Sequence, residues 1–515
     1  GEKTTSPARS TSTGIVSGRV LNVTSGNYLN NVRVALEDTT IETFTDENGE
    51  YRLAGVPAGM VKIRASFTGL DSSATSVAVP PGGVVRHDFE LSLAGAQEET
   101  EKGVVKLAAF MVSERELAGQ AVALHEQRTA PNIKNVVMID RVNTSDGNVG
   151  EFLKYIPGIV MDENPQSPRF VNIRGMPSSG TLITLNGMEI ASGGTVGRQT
   201  DLGVSLAGNI DRIEVTKVPT PDMPANAVGG GINLITKSGF NRKTPLFTYD
   251  IYGAVSALDG TRDPGPIFGK SHGPDDRSNV SRLNPSFNLS YLYPINQSFA
   301  IALAASKSLR YNDWQWPNPR WDKVGLRLVS DTIAEHNFVE AKELGSITLD
   351  WKINAQNTLS FGASHSNQNI VLRRAVLSST FGAGATGGPT FTYGAPTGVG
   401  NAQMLPVGND QYRDLSVFSL AYRFNGTVWK LDGNVSQSDA STKFADTGDG
   451  FFSGATAQIS NLVLRSDGID QYVHVGRIAA TTATTAAGAP VNLYDGNAYR
   501  LISANNATQT FTDEL

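Results

Sequence analysis

The feature that most limits the fold is a period-two alternation of apolar and polar residues that recurs in pairs. Phe287, Leu289, Tyr291 and Tyr293 alternate with polar neighbours, Pro294 to Ser298 supply a turn, and Phe299, Ile301 and Leu303 resume the pattern. Ile347 to Ile353 turn through Asn354 to Thr358 into Leu359 and Phe361, and Phe418 to Phe424 turn through Asn425-Gly426-Thr427 into Trp429, Leu431 and Val435. Strands with one apolar and one polar face, joined by short turns, predict an antiparallel sheet. Phe247, Tyr249, Ile251, Gly253 and Val255 read as an opening strand, so seven or eight strands are visible in all. Between the hairpins lie long segments rich in Gly, Pro, Asn and Asp (Asp259 to Leu283, Arg310 to Glu343, Gly382 to Asp414), which read as loops on the opposite side.

No run of about 18 uncharged apolar residues occurs, so no membrane-spanning helix is expected, whereas alternating barrel strands of about 9 to 11 residues are compatible with the mean hydropathy of -0.19. At 515 residues the chain is expected to hold several domains. Its net charge of -6, with basic residues scattered, lacks the footprint of a nucleic-acid binder. The absence of cysteine excludes disulfides and thiol chemistry and suits an oxidising compartment. The six histidines form no local metal spacing, Gly203 to Gly208 and Gly265 to Ser271 each miss a catalytic loop motif by one residue, and no catalytic residue, metal site or cofactor is expected.

Four segments precede the alternating hairpins. Residues 1–13 are Ser/Thr-rich and read as a flexible tail without a secretion signal, so the chain is expected to be mature, trimmed or not exported. Residues 14–93 hold short alternating runs separated by turn clusters, the pattern of a small β-sandwich. Within it Asp46-Glu47-Asn48-Gly49 reads as a hairpin turn, since the remaining ligands of a calcium loop are missing. Residues 94–119 form an acidic linker carrying the apolar stretch Val104 to Val112, which reads either as a segment available for strand pairing or as the first strand of the next domain. Residues 120–240 mix short elements: a helix over Gly150 to Tyr155 stopped by Pro157, strands at Phe170 to Arg174, Thr181 to Leu185, Arg212 to Val218 and Ile232 to Thr236, and a two-residue hairpin turn at Asn186-Gly187.

The order "G-x-V … T-D-x-x-G-x-Y-x-L … V-P-x-G" over residues 14–93 resembles the carboxypeptidase-regulatory-like, transthyretin-type domain. Glu151 to Ile159, Val171 to Gly175, Leu182 to Ile190, Ile210 to Lys217 with Pro219 to Pro224, and Gly229 to Lys237 together resemble the plug domain of TonB-dependent outer-membrane receptors. The resemblance implies a mainly β chain: an N-terminal β-sandwich, an α+β plug, and over 241–515 the first part of an antiparallel transmembrane β-barrel. Because the family's barrel has about twenty-two strands, the chain is expected to be an N-terminal piece.

The same resemblance implies a Ton box at Val104, Val105, Lys106, Leu107 and Ala108, gripped by the TonB periplasmic domain with its inner-membrane energising complex. In this chain Glu101-Lys102-Gly103 separates Glu99-Thr100 from the apolar pair, a departure from the family's usual register. It implies polar contacts between plug and barrel at Arg174, Arg212 and Glu214, whose charges on apolar strands need partners if buried. Ligand candidates are Asp162, Glu163, Asn164, Arg169, Arg198 and Asp201 on the plug's outward loops, and Trp314, Trp316 and Trp321, whose flat faces suit sugar rings but equally suit a loop base or aromatic girdle.

The implied function is import of a scarce nutrient across an outer membrane, with the sandwich periplasmic, lipid around the barrel and no bond made or broken. Lys217 to Pro224 is similar to a stretch common in saccharide receptors, which favours an oligosaccharide. A ferric siderophore is the alternative, cobalamin a third, and a non-transporting adhesion or structural β protein is the rival from another class.

Overall fold

The computed structural model describes residues 12–93, 122–130, 132–139, 148–164, 167–192, 199–205, 207–221, 223–255, 270–272, 279–281, 283–426, 429–445, 454–469, 480–505 and 508–514. Residues 14–93 form the expected sandwich. One sheet centres on Thr13–Asn22, flanked by Glu50–Pro57 on one side and by Val84–Arg86 and Phe89–Leu91 on the other; the second orders Glu42–Phe44, Arg33–Leu36, Gly59–Ser66 and Ser73–Val79. Alternate residues such as Val16, Val20, Val34, Leu53, Ile63 and Phe89 meet between the sheets and are buried. The turn at Asp46 is built as its composition predicts: the Asp46 Oδ1 accepts from the Asn48 and Glu50 amides, both at 2.9 Å, and Gly49 takes a φ of 71°.

The plug is a five-stranded sheet in the order Met188–Glu189, Thr181–Leu185, Gly230–Thr236, Ile210–Thr216, Lys134–Met138, with a separate hairpin of Ile159–Asn164 and Ser167–Ile173. The helix is the short Val149–Leu153, capped by Asn148, whose side chain accepts from the Gly150 amide at 2.8 Å. Asn186 and Gly187 take φ of 51° and 83°, the type I′ turn that their pairing predicts. Gly230, at φ 122°, passes so close to the next strand that an added Cβ would lie 2.4 Å from the Thr216 carbonyl oxygen.

The third part is a strongly extended antiparallel sheet, open at its edges. Eight strands follow in chain order: Leu246–Val255, Leu283–Pro294, Phe299–Pro317, Leu328–Asn354, Asn357–Thr380, Gly400–Asn425, Lys430–Ala445 and Thr508–Glu514. The short turns fall where the sequence puts them, and Asn296 and Asn354 cap theirs by accepting backbone amides at 2.8–3.0 Å.

Two of the expected loops differ. Arg310 to Glu343 is mostly strand, continuing Phe299–Pro317 and Leu328–Asn354 as one ladder from Phe299↔Trp351 to Pro317↔Ile333, and Gly382 to Asp414 gives way to the long strand Gly400–Asn425. On these extensions apolar and polar residues share one face, Ala334 and Phe338 being buried beside His336, Glu340 and Lys342, so the period-two signal fades although backbone pairing continues. A side module of strands between residues 386 and 505 packs on these extensions around Leu328, Phe381, Leu462 and Leu464.

Candidate functional site

The register of the long sheet sorts its side chains into two faces. Tyr293, Ile301, Leu349, Phe361, Leu420 and Val435 lie opposite one another from strand to strand and form an outward apolar row. All of them except the half-buried Ile301 are exposed. Phe299 stacks on Trp351 with ring centroids 5.7 Å apart, close to the short turns. The opposite face carries Ser290, Ser306, Ser308, Glu340, Lys342, Asp350, Ser366, Gln368, Arg413, Ser438 and Thr442, all buried. Apolar outside and polar inside is the reverse of a water-soluble sheet.

The plug is what buries that polar face. Its core of Val149, Phe152, Ile173, Ile213, Val215 and Leu234 runs on into Leu415, Val417 and Ala440 of the wall. Small residues allow the approach: a Cβ on Gly239 would meet the Ala300 Cβ at 2.9 Å, and one on Gly208 the Ser306 Oγ at 3.3 Å. Backbone amides at Ala191 and Ser192 donate to the Ser438 Oγ at 2.9 Å and the Asp513 carboxylate at 2.7 Å. Ser238 donates to Asp350 at 2.6 Å, and Ser360 does the same from the wall.

The principal charge contact between plug and wall is one the sequence does not mark. Arg413 donates from Nη1 to the Asp201 Oδ2 at 2.9 Å, while Arg169 of the plug pairs with the same carboxylate. Arg413 also reaches the Gln368 Oε1 at 3.1 Å, and Gln368 in turn donates to Glu340, which lies 3.3 Å from Lys342. Burial alone would push the Asp201 carboxyl up, but the Arg169 and Arg413 guanidiniums outweigh it and hold it below its ordinary range. Arg169 and Asp201, expected as ligand contacts on an outward loop, are thus brought together at the wall.

The other expected residues are placed as follows. Arg212 and Glu214 pair with each other at 3.0 Å on the plug's own sheet, Glu214 also with Lys134 at 3.0 Å, and Arg212 with Asp211 at 3.7 Å. Burial opposes the charge of both Arg212 and Glu214, but their mutual attraction raises the Arg212 pKa and lowers that of Glu214. Arg174 sits on an exposed turn at φ 53°. Asp162 is exposed at the end of its hairpin, and Glu163 and Asn164 belong to the same strand. Trp314 and Trp316 fall on the strand Phe299–Pro317, whereas Trp321 packs half-buried against the Leu328 and Phe381 cluster of the side module. The Ton-box residues Val104, Val105, Lys106, Leu107 and Ala108, and Arg198, lie outside the described residues.

The sandwich docks on the short-turn end of the wall. Arg423 pairs with Glu47 at 2.6 Å, Lys352 with Glu50, Asn425 donates to Asp46 at 3.3 Å, and Arg242 donates to the Asn27 Oδ1 at 2.7 Å. The helical segment 122–129, at the start of the expected plug, touches the plug strand through Gln127, which bonds Asn135 at 3.4 Å and the Val136 carbonyl at 3.5 Å, and packs its other side on the sandwich. His125 stacks on Phe67 with centroids 3.9 Å apart and its Nε2 lies 2.6 Å from the Asn31 carbonyl, while Asn30 donates to Glu126 at 3.1 Å.

Comparison with known proteins gives two family matches: a carboxypeptidase regulatory-like domain over residues 15–92 and a TonB-dependent receptor plug domain over residues 126–231. Among curated proteins no match is found. Solved structures with local likeness include a variant of the ferric enterobactin receptor of Pseudomonas aeruginosa, 15% identical over 69% of this chain and 57% of that one, with a TM-score of 0.32. A siderophore receptor of Acinetobacter baumannii is 14% identical over 70% of this chain and 61% of that one, with a TM-score of 0.30. The chain therefore spans about three fifths of the length of these receptors. Likeness at this level leaves the ligand open.

Proposed function

From a chain that joins a carboxypeptidase regulatory-like domain to a TonB-dependent receptor plug and a mainly β wall, the domain order of a TonB-dependent receptor, we propose a role in energised uptake of a nutrient across the outer membrane. The observation that carries this reading is the inverted wall: an apolar outer row from Tyr293 to Val435 against a polar inner face that the plug covers. Such a sheet is stable where its outer face meets lipid and its inner face meets polar protein. The solute binds from outside, the Ton box at residues 104–108 is gripped by the TonB periplasmic domain, and force applied there rearranges the plug. The contacts that hold the plug are polar and small, which suits an interface that is broken and remade in each cycle. The reaction is translocation, with no bond in the solute broken.

Two solute classes fit this role. The stretch Lys217 to Pro224, similar to that of saccharide receptors, supports an oligosaccharide. A ferric siderophore is the other, because the plug match is shared by receptors of either class. Protein abundance in native cells separates them: induction on a polysaccharide carbon source with iron replete supports the first, and induction by iron chelation on a simple carbon source supports the second. Uptake of the inducing solute that persists without TonB contradicts the receptor reading itself.

A further inference from the structure

Beneath the plug sheet lies a partly open cavity of about 320 Å³. Asn209 and Asn233 line it from the plug, Thr348 and Ser360 from the wall, and Glu47 and Asn48 of the sandwich form its floor. Its volume lies at the lower end of small-molecule sites, which start at about 300 Å³.

The chemistry of the lining is specific. Each charged group on it has a partner at home: Arg212 with Glu214, Arg423 with Asp432 and Glu47, and Asp350 with the hydroxyls of Ser238 and Ser360. A charged solute would lose hydration there and find every counter-charge engaged. The rest of the lining mixes amide and hydroxyl side chains with Leu185, Met188 and Ile235; amides and hydroxyls both donate and accept, and so replace the water around a hydroxyl-rich neutral molecule, while the apolar positions meet its carbon-bound faces.

The floor is built to separate from the rest. The sandwich has its own apolar core, distinct from the one shared by plug and wall, and what joins it to them at this end is polar: the side chains of Glu47, Glu50 and Asp46 on the wall, Arg19 on the Phe240 carbonyl, and one short backbone bridge at Asn27 and Arg242. Polar contacts without a common core are those of domains that move against one another. We infer that this chamber is a transit site for a neutral, hydroxyl-rich solute leaving the plug, with the sandwich as its movable floor. The inference rests on the receptor reading above and selects the saccharide class within it.

Cysteine accessibility tests both halves without knowledge of the natural solute. The 515 residues contain no cysteine, so Ser360→Cys places one thiol in the chamber. In isolated outer membranes holding the full-length receptor, three methanethiosulfonate reagents of similar size are compared, ending in a hydroxyl, a trimethylammonium or a sulfonate group. Each rate is divided by that with a free small thiol. The hydroxyl reagent is expected to react about tenfold faster than either charged one.

Asn27 and Arg242 face each other as an antiparallel bridge flanked by hydrogen bonds from the Tyr28 amide to the Asn241 carbonyl and from the Lys243 amide to the Gly26 carbonyl. Such a pair brings Cα atoms within disulfide reach. Oxidising Asn27→Cys with Arg242→Cys is expected to slow labelling at position 360 about tenfold, with recovery on reducing that disulfide before labelling. Equal or faster reaction of a charged reagent overturns the solute class, and labelling indifferent to the disulfide overturns the floor. If Ser360→Cys does not assemble, Thr348→Cys reports from the same wall. Neither outcome bears on TonB binding, by which the receptor reading fails separately.

Discussion

Asp201 of the plug and Arg413 of the wall, 212 residues apart in the chain, meet at 2.9 Å with both side chains almost fully buried. Arg169 completes a triad in which one carboxylate serves two guanidiniums. Asp201→Ala therefore leaves two buried cations without the carboxylate they share and is expected to weaken the plug's seat by about 3–5 kcal/mol. Arg413→Leu leaves Asp201 with Arg169 and costs less. Thermal unfolding and protease release of the plug in the purified receptor measure the difference; equal effects contradict the triad. Because the Asp201 pKa is depressed, its contribution is complete above the ordinary carboxyl range near pH 4 and is lost as pH falls through the depressed value.

Gly230→Ala places a methyl group 2.4 Å from a backbone oxygen at a φ that L-residues avoid, and relief requires strands to move. A loss of about 2–4 kcal/mol is expected. At Gly231 the added Cβ meets the Met223 Cε, also at 2.4 Å, but that flexible side-chain end can withdraw. Gly231→Ala is expected to be the milder substitution in the same unfolding measurement.

The outward row makes a lipid-face prediction. Leu420→Arg puts a charge among Phe361, Val435 and their neighbours, and is expected to lower membrane insertion by about 2–4 kcal/mol at mid-depth. Leu420→Met is expected to insert normally. Folding into lipid vesicles followed by the heat-dependent gel shift of inserted barrels reads the outcome, and equal insertion of both variants contradicts the assignment of the face.

The helix at 122–129 is expected to come off the sandwich on acidification. Burial pushes the His125 imidazole below its ordinary pKa, against smaller opposite pulls from the Asn31 carbonyl and Glu126. The docked form is therefore the neutral one. Its stability is complete above about pH 6.5 and declines as pH falls from there through the lowered value. Hydrogen exchange at residues 122–129 is expected to accelerate between pH 7 and pH 5, and His125→Gln is expected to remove that pH dependence.

What the sequence reveals here follows the range of its signals. Asn186-Gly187, the Asp46 turn and the hairpins through Pro294 to Ser298 and Asn354 to Thr358 are local: turn chemistry and alternation are written within a dozen residues, and each forms as read. The extensions over Arg310 to Glu343 read as loops because Ala334 and Phe338 share a buried face with His336, Glu340 and Lys342, which erases the apolar/polar alternation that marks a half-buried strand. Arg169 and Asp201 were visible as charges near a loop, but their partner Arg413 lies on a strand whose register is set by the whole meander. Helix 122–129 precedes the plug strands in sequence and packs backwards on the sandwich through Asn30, Asn31 and Phe67, a choice that depends on surfaces from two distant segments.

Binding of the TonB periplasmic domain to the full-length receptor tests the central claim most directly. The account predicts capture by the wild-type protein and its loss on Val105→Pro, which removes a backbone donor from the strand that TonB would pair with. Absence of binding, or binding indifferent to Val105→Pro and to removal of residues 94–119, would contradict it.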